Sequence, residues 1–158
     1  MNILIIYDSF FGNTEKVAFA MRDALQGNAT VKCLRIHEAT RDMLKDINFL
    51  IVGSPTRGFR PTKPIVQFLD KLPADILKDV KVAAFDTRID VPRVNSRFLH
   101  FMVRIFGYAA QPIASRLARK GGVTIAPPAG FIVKESEGPL EDGELERAAS
   151  WAKEIAGK

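Results

Sequence analysis

The chain has 158 residues, of which 47% are hydrophobic and 26% charged, and its formal net charge at pH 7 is +5. The length predicts one domain over residues 1–158 with a real core, and the single cysteine, Cys33, excludes a disulfide framework and a cysteine-rich metal site. No apolar stretch reaches transmembrane length and no signal peptide begins the chain, so we expect a reduced, cytoplasmic compartment.

The positive charge is concentrated in one segment. Residues 88–120 hold seven basic side chains and one acidic one, which leaves a net −1 for the rest of the chain. A solvated basic helix would account for this excess, and so would an anionic surface or partner.

The first informative stretch is the turn Ser9-Phe10-Phe11-Gly12-Asn13-Thr14. It follows an apolar run at residues 2–7, typical of a buried strand, and precedes residues 15–25, whose apolar side chains recur at helical spacing. A strand-to-helix turn directs backbone N–H groups and the positive end of the helix dipole at one spot. Gly12 permits the tight curl, while Ser9, Asn13 and Thr14 add donors. We interpret the turn as a cradle for phosphate or another anion; the alternative is that Asn13 and Thr14 only cap the helix.

The middle of the chain predicts two more strands and a stiff loop. We expect strands at 30–36 and 48–53, with a short helix at 41–45 between them. Two prolines and a glycine stiffen the following loop, Ser54-Pro55-Thr56-Arg57-Gly58-Phe59-Arg60-Pro61-Thr62. Thr62 is a suitable N-cap for a helix at 63–72.

The second half continues the alternation. A strand at 80–85 should end in a loop that begins Asp86-Thr87-Arg88, and a helix follows at 109–120. The fifth strand comprises 123–126 and 130–133, kinked by two prolines, and the last helix covers 140–156. This order predicts an α/β fold, a doubly wound five-stranded parallel sheet with helices on both faces. The loops at 9–14, 54–60 and 86–90 all leave carboxyl ends of strands, so they should converge on one crevice.

Other anion-binding classes lack their motifs. The chain has no G-x-G-x-x-G for a dinucleotide and no G-x-x-x-x-G-K-[ST] for a nucleoside triphosphate. A phospho-acceptor domain of this topology would need an aspartate at the end of the third strand, where Gly53-Ser54 stands.

The motifs resemble those of flavodoxin-like FMN proteins of the short, single-domain type. Ser9-x-x-Gly12-Asn13-Thr14 is similar to the family's phosphate loop, Gly53-Ser54-Pro55-Thr56 to its second flavin loop, and Asp86-Thr87-Arg88 occupies the third. Gly138-Pro139-Leu140, Gly143-Glu144-Leu145 and Trp151-Ala152 resemble the region of its last helix.

The resemblance implies FMN as cofactor, with no catalytic side chain and no metal. The implied cofactor-binding residues are Ser9, Phe10, Phe11, Gly12, Asn13, Thr14, Ser54, Pro55, Thr56, Arg57, Gly58, Phe59, Asp86, Thr87 and Arg88. It implies an electron carrier or a small flavin oxidoreductase, with a redox partner protein or a quinone as partner and no nucleic acid.

Three departures from the family keep alternatives open. Phe11 replaces a usual hydroxyl, residues 86–94 contain no aromatic to stack on the flavin, and the chain is basic. The alternatives are a binding or regulatory module that has lost FMN and a membrane-associated, quinone-linked flavin oxidase.

Residues 93–108 are the part that the resemblance leaves unexplained. As a helix, this segment places Arg97, His100 and Arg104 on one stripe and apolar side chains around nearly all the remaining circumference. Three alternatives account for the apolar excess: burial against residues 109–120 and the sheet, contact with a second subunit in a homodimer, and contact with the inner face of a membrane.

Overall fold

Six strands form one parallel sheet in a computed structural model that describes residues 1–90 and 95–158, apart from the side chains of Ile105 and Phe106. The strands are β1 (Asn2–Tyr7), β2 (Thr30–Arg35), β3 (Phe49–Pro55), β4 (Lys81–Ile89), β5 (Val123–Thr124) and β6 (Ala129–Val133). The order is β2-β1-β3-β4-β5, and β6 also pairs with β4, so β5 and β6 share the fifth position. The predicted five-stranded parallel arrangement is confirmed.

Helices cover both faces of the sheet. They are α1 (Asn13–Leu25), α2 (Lys63–Lys71), α3 (Arg97–Phe106), α4 (Ala110–Arg119) and α5 (Glu144–Ala156). The alternation of side chains along a strand divides the core. Leu4 and Ile6 of β1 pack with α2 and α4, whereas Ile3 and Ile5 pack with α1 and α5.

Several boundaries differ from those predicted. Strand β4 continues to Ile89 because residues 85–89 pair with residues 129–133 of β6. Asp86, Thr87 and Arg88 therefore lie in a strand, and not in the loop after it. The helix expected at 41–45 is a 3-10 turn, Arg41–Leu44, and the last helix begins at Glu144 instead of residue 140.

Helix α3 is formed as expected, with Ser96 as its N-cap accepting a hydrogen bond from the Leu99 N–H group at 3.3 Å. Residues 93 and 94 of the predicted segment lie outside the described residues. No described side chain of α3 is buried, and Phe98 and Phe101 are 67% and 55% exposed. Burial against residues 109–120 is therefore wrong for these side chains. Among the described residues, no helix has the length and apolarity needed to cross a membrane.

Candidate functional site

A cavity of about 300 Å³ opens at the carboxyl edge of the sheet. Its lining contains eleven of the fifteen residues that the sequence indicated: Ser9, Phe10, Phe11, Asn13, Thr14, Pro55, Thr56, Arg57, Gly58, Thr87 and Arg88. Ile89, Val133 and Ser136 complete the lining. The three predicted loop regions therefore meet in one place, as the parallel topology requires.

The sequence indicated Ile89 only as part of the loop at 86–90, and it did not indicate Val133 or Ser136. Ile89 and Val133 are partners in the pairing of β4 with β6, so both lie at the ligand edge. One sequence signal could have indicated the missed residues: the predicted fifth strand, like the other parallel strands, should end at this edge of the sheet.

The phosphate-type loop curls at Gly12, whose φ is 88°. The Gly12 N–H group donates to Ser9 Oγ at 3.1 Å, which closes the loop on itself. Helix α1 begins at the next residue, and N–H groups in a first helical turn have no acceptor within the helix. Those donors and the positive end of the helix dipole make this a favourable place for an anion.

Two buried hydroxyls lie at the floor of the cavity. Thr14 Oγ1 and Thr87 Oγ1 are 2.8 Å apart, and both residues are almost fully excluded from solvent. One of the two hydrogens is used in the bond between them, so the other can be donated to a ligand.

Asn13 connects this loop to the segment after β6. Its Nδ2 donates to the carbonyl oxygen of Glu137 at 3.0 Å, and a Cβ on Gly138 would lie 2.6 Å from the Asn13 side chain. The absence of a side chain at Gly138 lets the two segments approach, which brings Ser136 into the lining.

A polar network supports the loop from behind. The Tyr7 hydroxyl donates to Glu15 Oε2 at 2.5 Å, and Arg35 donates to the same oxygen at 2.9 Å and to the Ser9 carbonyl at 3.2 Å. The hydrogen bonds from Tyr7 and Arg35 lower the pKa of Glu15. Burial, together with the bond to Glu15, raises the pKa of Tyr7 to about 12. Tyr7 therefore stays a neutral donor and Glu15 a charged acceptor at neutral pH.

The second loop carries a cation at the mouth of the cavity. Arg57 and Arg60 exchange two backbone hydrogen bonds, of 2.9 and 3.0 Å, across a turn with φ of 54° at Gly58 and 64° at Phe59. Two positive φ values are typical of a type I′ turn. The Arg57 guanidinium lies 4.3 Å from the ring centre of Phe10 and 5.6 Å from that of Phe11. The Arg57 guanidinium therefore packs over the phosphate-type loop at these two rings, each of which is about half exposed.

Two residues of the second loop have structural partners. Ser54 is buried, accepts the Thr62 N–H group at 3.0 Å and donates to the Pro55 carbonyl. Thr56 Oγ1 accepts the Ala109 N–H group at 3.0 Å. These bonds fix the loop to the starts of α2 and α4.

Asp86 and Arg88 pair with each other. The buried Asp86 carboxylate accepts from Arg88 at 2.6 and 2.8 Å and from the Ala110 N–H group at 2.9 Å. The Arg88 guanidinium also lies 3.7 Å from the ring centre of Tyr108 and packs against Gly130. Burial raises the pKa of Asp86 despite the opposing effect of Arg88.

Four of the indicated residues lie outside the cavity lining. Gly12 and Ser54 shape the two loops, Asp86 anchors α4, and Phe59 lines a neighbouring cavity. None of the described residues that line the cavity carries a carboxylate. Among residues 1–90 and 95–158, no group of three or more His, Cys, Asp or Glu side chains could hold a metal ion.

The donors suit a phosphate ester attached to an apolar group. Ser9, Thr14 and Thr87 offer hydroxyls, the start of α1 offers N–H groups, and Pro55, Ile89 and Val133 provide apolar edges. An anion cradle between β1 and β3, where the strand order reverses, defines an α/β protein that binds a nucleotide-type cofactor.

Comparison with known proteins identifies the family within this class. The family model described as "Flavodoxin" matches residues 5–151, and the chain belongs to the flavodoxin family. It is accordingly an FMN-binding electron-transfer protein. No curated protein sequence gives a significant match to the chain.

Solved structures of flavodoxins share the fold. A flavodoxin from the domain Archaea is 21% identical with a TM-score of 0.77, covering 99% of this chain and 97% of that one. Oxidised flavodoxin 1 of Bacillus cereus is 16% identical with a TM-score of 0.76, covering 99% and 98%. The rubredoxin oxygen:oxidoreductase of Desulfovibrio gigas is 21% identical with a TM-score of 0.73, and the match covers 99% of this chain but 35% of that longer one.

Proposed function

We propose that the cavity at the carboxyl edge of the sheet is the FMN site, with the phosphate in the loop at 9–14 and the ring beside the second loop and β4. The observation that carries this assignment is the buried pair of Thr14 and Thr87 hydroxyls at the start of α1. Buried hydroxyls next to free helical N–H groups match the acceptor oxygens of a phosphate dianion.

The side chains around this site bind and position the cofactor. The N–H groups at the start of α1, the Ser9 hydroxyl and the one hydrogen that the Thr14–Thr87 pair keeps available donate to the phosphate. Arg57, stacked on Phe10 and Phe11, reduces the access of water to the loop. FMN, when bound, supplies the redox chemistry. The roles of the chain are binding, orientation and electrostatic tuning, and no side chain needs to transfer a proton.

A comparison of two ligands tests the site. Apoprotein is titrated with FMN and with riboflavin, which lacks the phosphate, and binding is followed by the quenching of flavin fluorescence. We expect FMN to bind at least about tenfold more tightly, because several hydrogen bonds to a charged group are lost with riboflavin. Equal affinities would contradict the phosphate assignment.

We further propose that α3 contributes to the surface at which the protein meets its redox partner or a quinone. Arg97, Phe98 and Phe101 are exposed and combine positive charge with aromatic surface. Side chains of this kind suit the interface of an anionic membrane, where a quinone would be available. A second copy of the chain packed against the same face is the competing occupant.

Sedimentation with liposomes tests this surface. We expect wild-type protein to co-sediment with vesicles that contain phosphatidylglycerol, and Phe98→Glu/Phe101→Glu to remain in the supernatant. The matched control is Val123→Glu/Leu145→Glu, which alters two exposed apolar residues elsewhere. A mass of two chains in solution, reduced to one by the α3 variant and unaffected by vesicles, would favour the homodimer over the membrane.

A further inference from the structure

A second cavity, of about 900 Å³, lies directly beside the proposed FMN site. It is bounded by the turn at 57–60, the first turns of α2, and α4. Phe10 and Arg57 line both cavities, so they form a shared wall between them. A molecule in the second cavity would therefore contact the outer side of residues that cover the phosphate-type loop.

Much of the wall of this cavity is apolar. Phe59, Pro61, Pro64, Val66 and Pro112 supply most of the apolar lining. Rings of phenylalanine and proline present surfaces on which a planar body can pack. These walls favour an aromatic ligand.

The charged side chains described in the lining of this cavity are all positive. The lining contains Arg57, Arg60, Lys63 and Arg116, and no aspartate or glutamate is among its described residues. Arg116 pairs with Asp70 at 2.9 Å, whereas no carboxylate in the described part of the chain pairs with Arg60 or Lys63. Helix α2, which has nine residues, also begins here, so the positive end of its dipole adds to the potential. These charges favour an anion.

Thr62 gives a second, independent indication of a ligand. It lines the cavity at the start of α2 and is only 5% exposed. Its hydroxyl has no hydrogen-bond partner among the described residues. A buried hydroxyl without a partner is uncommon in folded proteins, and a bound acceptor group would satisfy it.

We propose that this second cavity binds a small aromatic anion next to the flavin. The rings of Phe10 and Phe59 pack against the aromatic body, while Arg60 and Lys63 neutralise its negative group. The site is separate from the proposed FMN site, because the two cavities share only Phe10 and Arg57 and this ligand does not use the start of α1 or the hydroxyls of Ser9, Thr14 and Thr87.

The experiment titrates 2-naphthoate into FMN-saturated protein by isothermal titration calorimetry. We expect saturable binding to a single site, with the uncharged isostere 2-naphthamide at least about tenfold weaker because it lacks the charge. The variant Arg60→Gln/Lys63→Gln should weaken 2-naphthoate by about tenfold or more. Lys78→Gln/Lys153→Gln, which removes two exposed positive charges away from the cavity, should not change it.

Two further measurements distinguish a loss of 2-naphthoate binding from a loss of FMN binding and from a loss of stability. Thr62→Val should weaken 2-naphthoate while leaving the urea midpoint unchanged, since the hydroxyl has no partner in the protein to lose. The affinity for FMN, measured on the same variants, should match that of wild type. No saturable binding of 2-naphthoate to wild type, or equal affinity in the Arg60→Gln/Lys63→Gln and control variants, would overturn the proposal.

Discussion

The hydroxyl oxygens of Thr14 and Thr87 lie 2.8 Å apart and join the first turn of α1 to the end of β4. Seventy-three positions of sequence separate the two residues. The contact holds two polar groups at the floor of the cavity, whose lining also contains the buried Ser9 and Asn13. Each hydroxyl therefore has a structural partner, and the pair keeps one hydrogen to donate to a ligand.

Replacing either hydroxyl should reduce the affinity for FMN selectively. Thr14→Val and Thr87→Val should each weaken FMN binding by about 1–3 kcal/mol, the scale of a hydrogen bond to a charged group. Riboflavin affinity should change little. Thr30→Val, at an exposed position of β2, is the control. A parallel loss of affinity for both flavins would indicate that the hydroxyls only maintain the fold.

Removing Arg88 should destabilise the fold strongly. Arg88→Ala leaves the carboxylate of Asp86 buried without its ion pair, which costs about 3–5 kcal/mol in comparable cases. The double variant Asp86→Asn/Arg88→Gln should lose less, because no unpaired charge remains. Urea unfolding of wild type, Arg88→Ala and the double variant tests this. If Arg88→Ala is as stable as wild type, the ion pair does not stabilise the fold.

Arg57 should affect the potential of the bound flavin more than Arg88 does. The charge of Arg88 is compensated by Asp86, whereas Arg57 has no carboxylate partner in the part of the chain that the structure describes. A nearby cation favours the more negative, reduced flavin. Arg57→Gln should therefore lower the midpoint potential by on the order of 20–60 mV, allowing for screening at an exposed site.

A redox titration of wild type and three variants tests whether Arg57 affects the midpoint potential more than Arg88 does. Asp86→Asn/Arg88→Gln, which removes one charge of each sign, should keep a potential within about 20 mV of wild type. Arg41→Gln, at an exposed position on the 3-10 turn, serves as a remote control for the loss of one cation. If the midpoint potential shifted more in the double variant than in Arg57→Gln, the idea that Asp86 compensates the charge of Arg88 would be wrong.

Stability should depend on the ionisation of Glu15 at acidic pH. Tyr7 and Arg35 hold the pKa of Glu15 below its ordinary value of 4.5. The folded protein therefore binds this proton less readily than the unfolded chain does. The resulting stabilisation is present above pH 4.5 and is lost as the pH falls through the lowered pKa.

The pH dependence of Glu15→Gln measures this contribution. The difference in free energy of unfolding between wild type and Glu15→Gln should be largest above pH 4.5 and should shrink below it. Glu137→Gln removes an exposed carboxylate and provides the comparison. If the difference in free energy of unfolding stayed constant above and below pH 4.5, the ionisation of Glu15 would not contribute to stability in this way.

A side chain at Gly53 should be poorly tolerated. A Cβ there would lie 2.1 Å from Cζ of Phe85, its partner in the adjacent strand. Gly53→Ala should cost about 1–3 kcal/mol through overpacking. Gly27→Ala is the matched control, since a Cβ at that position meets no atom within 4 Å. Phe85→Leu should recover part of the loss in a double-mutant cycle, because the smaller side chain leaves room for the methyl group.

The phosphate-type loop could be predicted because its geometry depends on short-range sequence. The apolar run of β1, the glycine at residue 12 and the periodicity of α1 specify a strand, a turn and a helix within 25 residues. The alternation of strands and helices then requires parallel pairing, which brings the ends of β1, β3 and β4 to one edge. Eleven lining residues followed from these two rules.

The roles of individual side chains depended on which distant segments meet. The sequence placed Asp86, Thr87 and Arg88 in a loop facing the ligand, but pairing with β6 extends β4 through all three. Side chains alternate along a strand, so Asp86 and Arg88 lie on the same face, where they pair, and Thr87 lies on the other face against Thr14. The identity of the neighbouring strand determined this outcome.

Composition and periodicity by themselves determined the fold class, the order of the elements and the edge of the sheet at which the first cavity lies, because these follow from local pattern and chain connectivity. The helical periodicity of α3 likewise indicated more apolar surface than one contact can cover. Only the tertiary structure decided that Phe98 and Phe101 remain exposed and that a second cavity lies beside the first. Exposure and cavity shape arise from packing between elements far apart in sequence, and no local pattern encodes which surfaces are left uncovered.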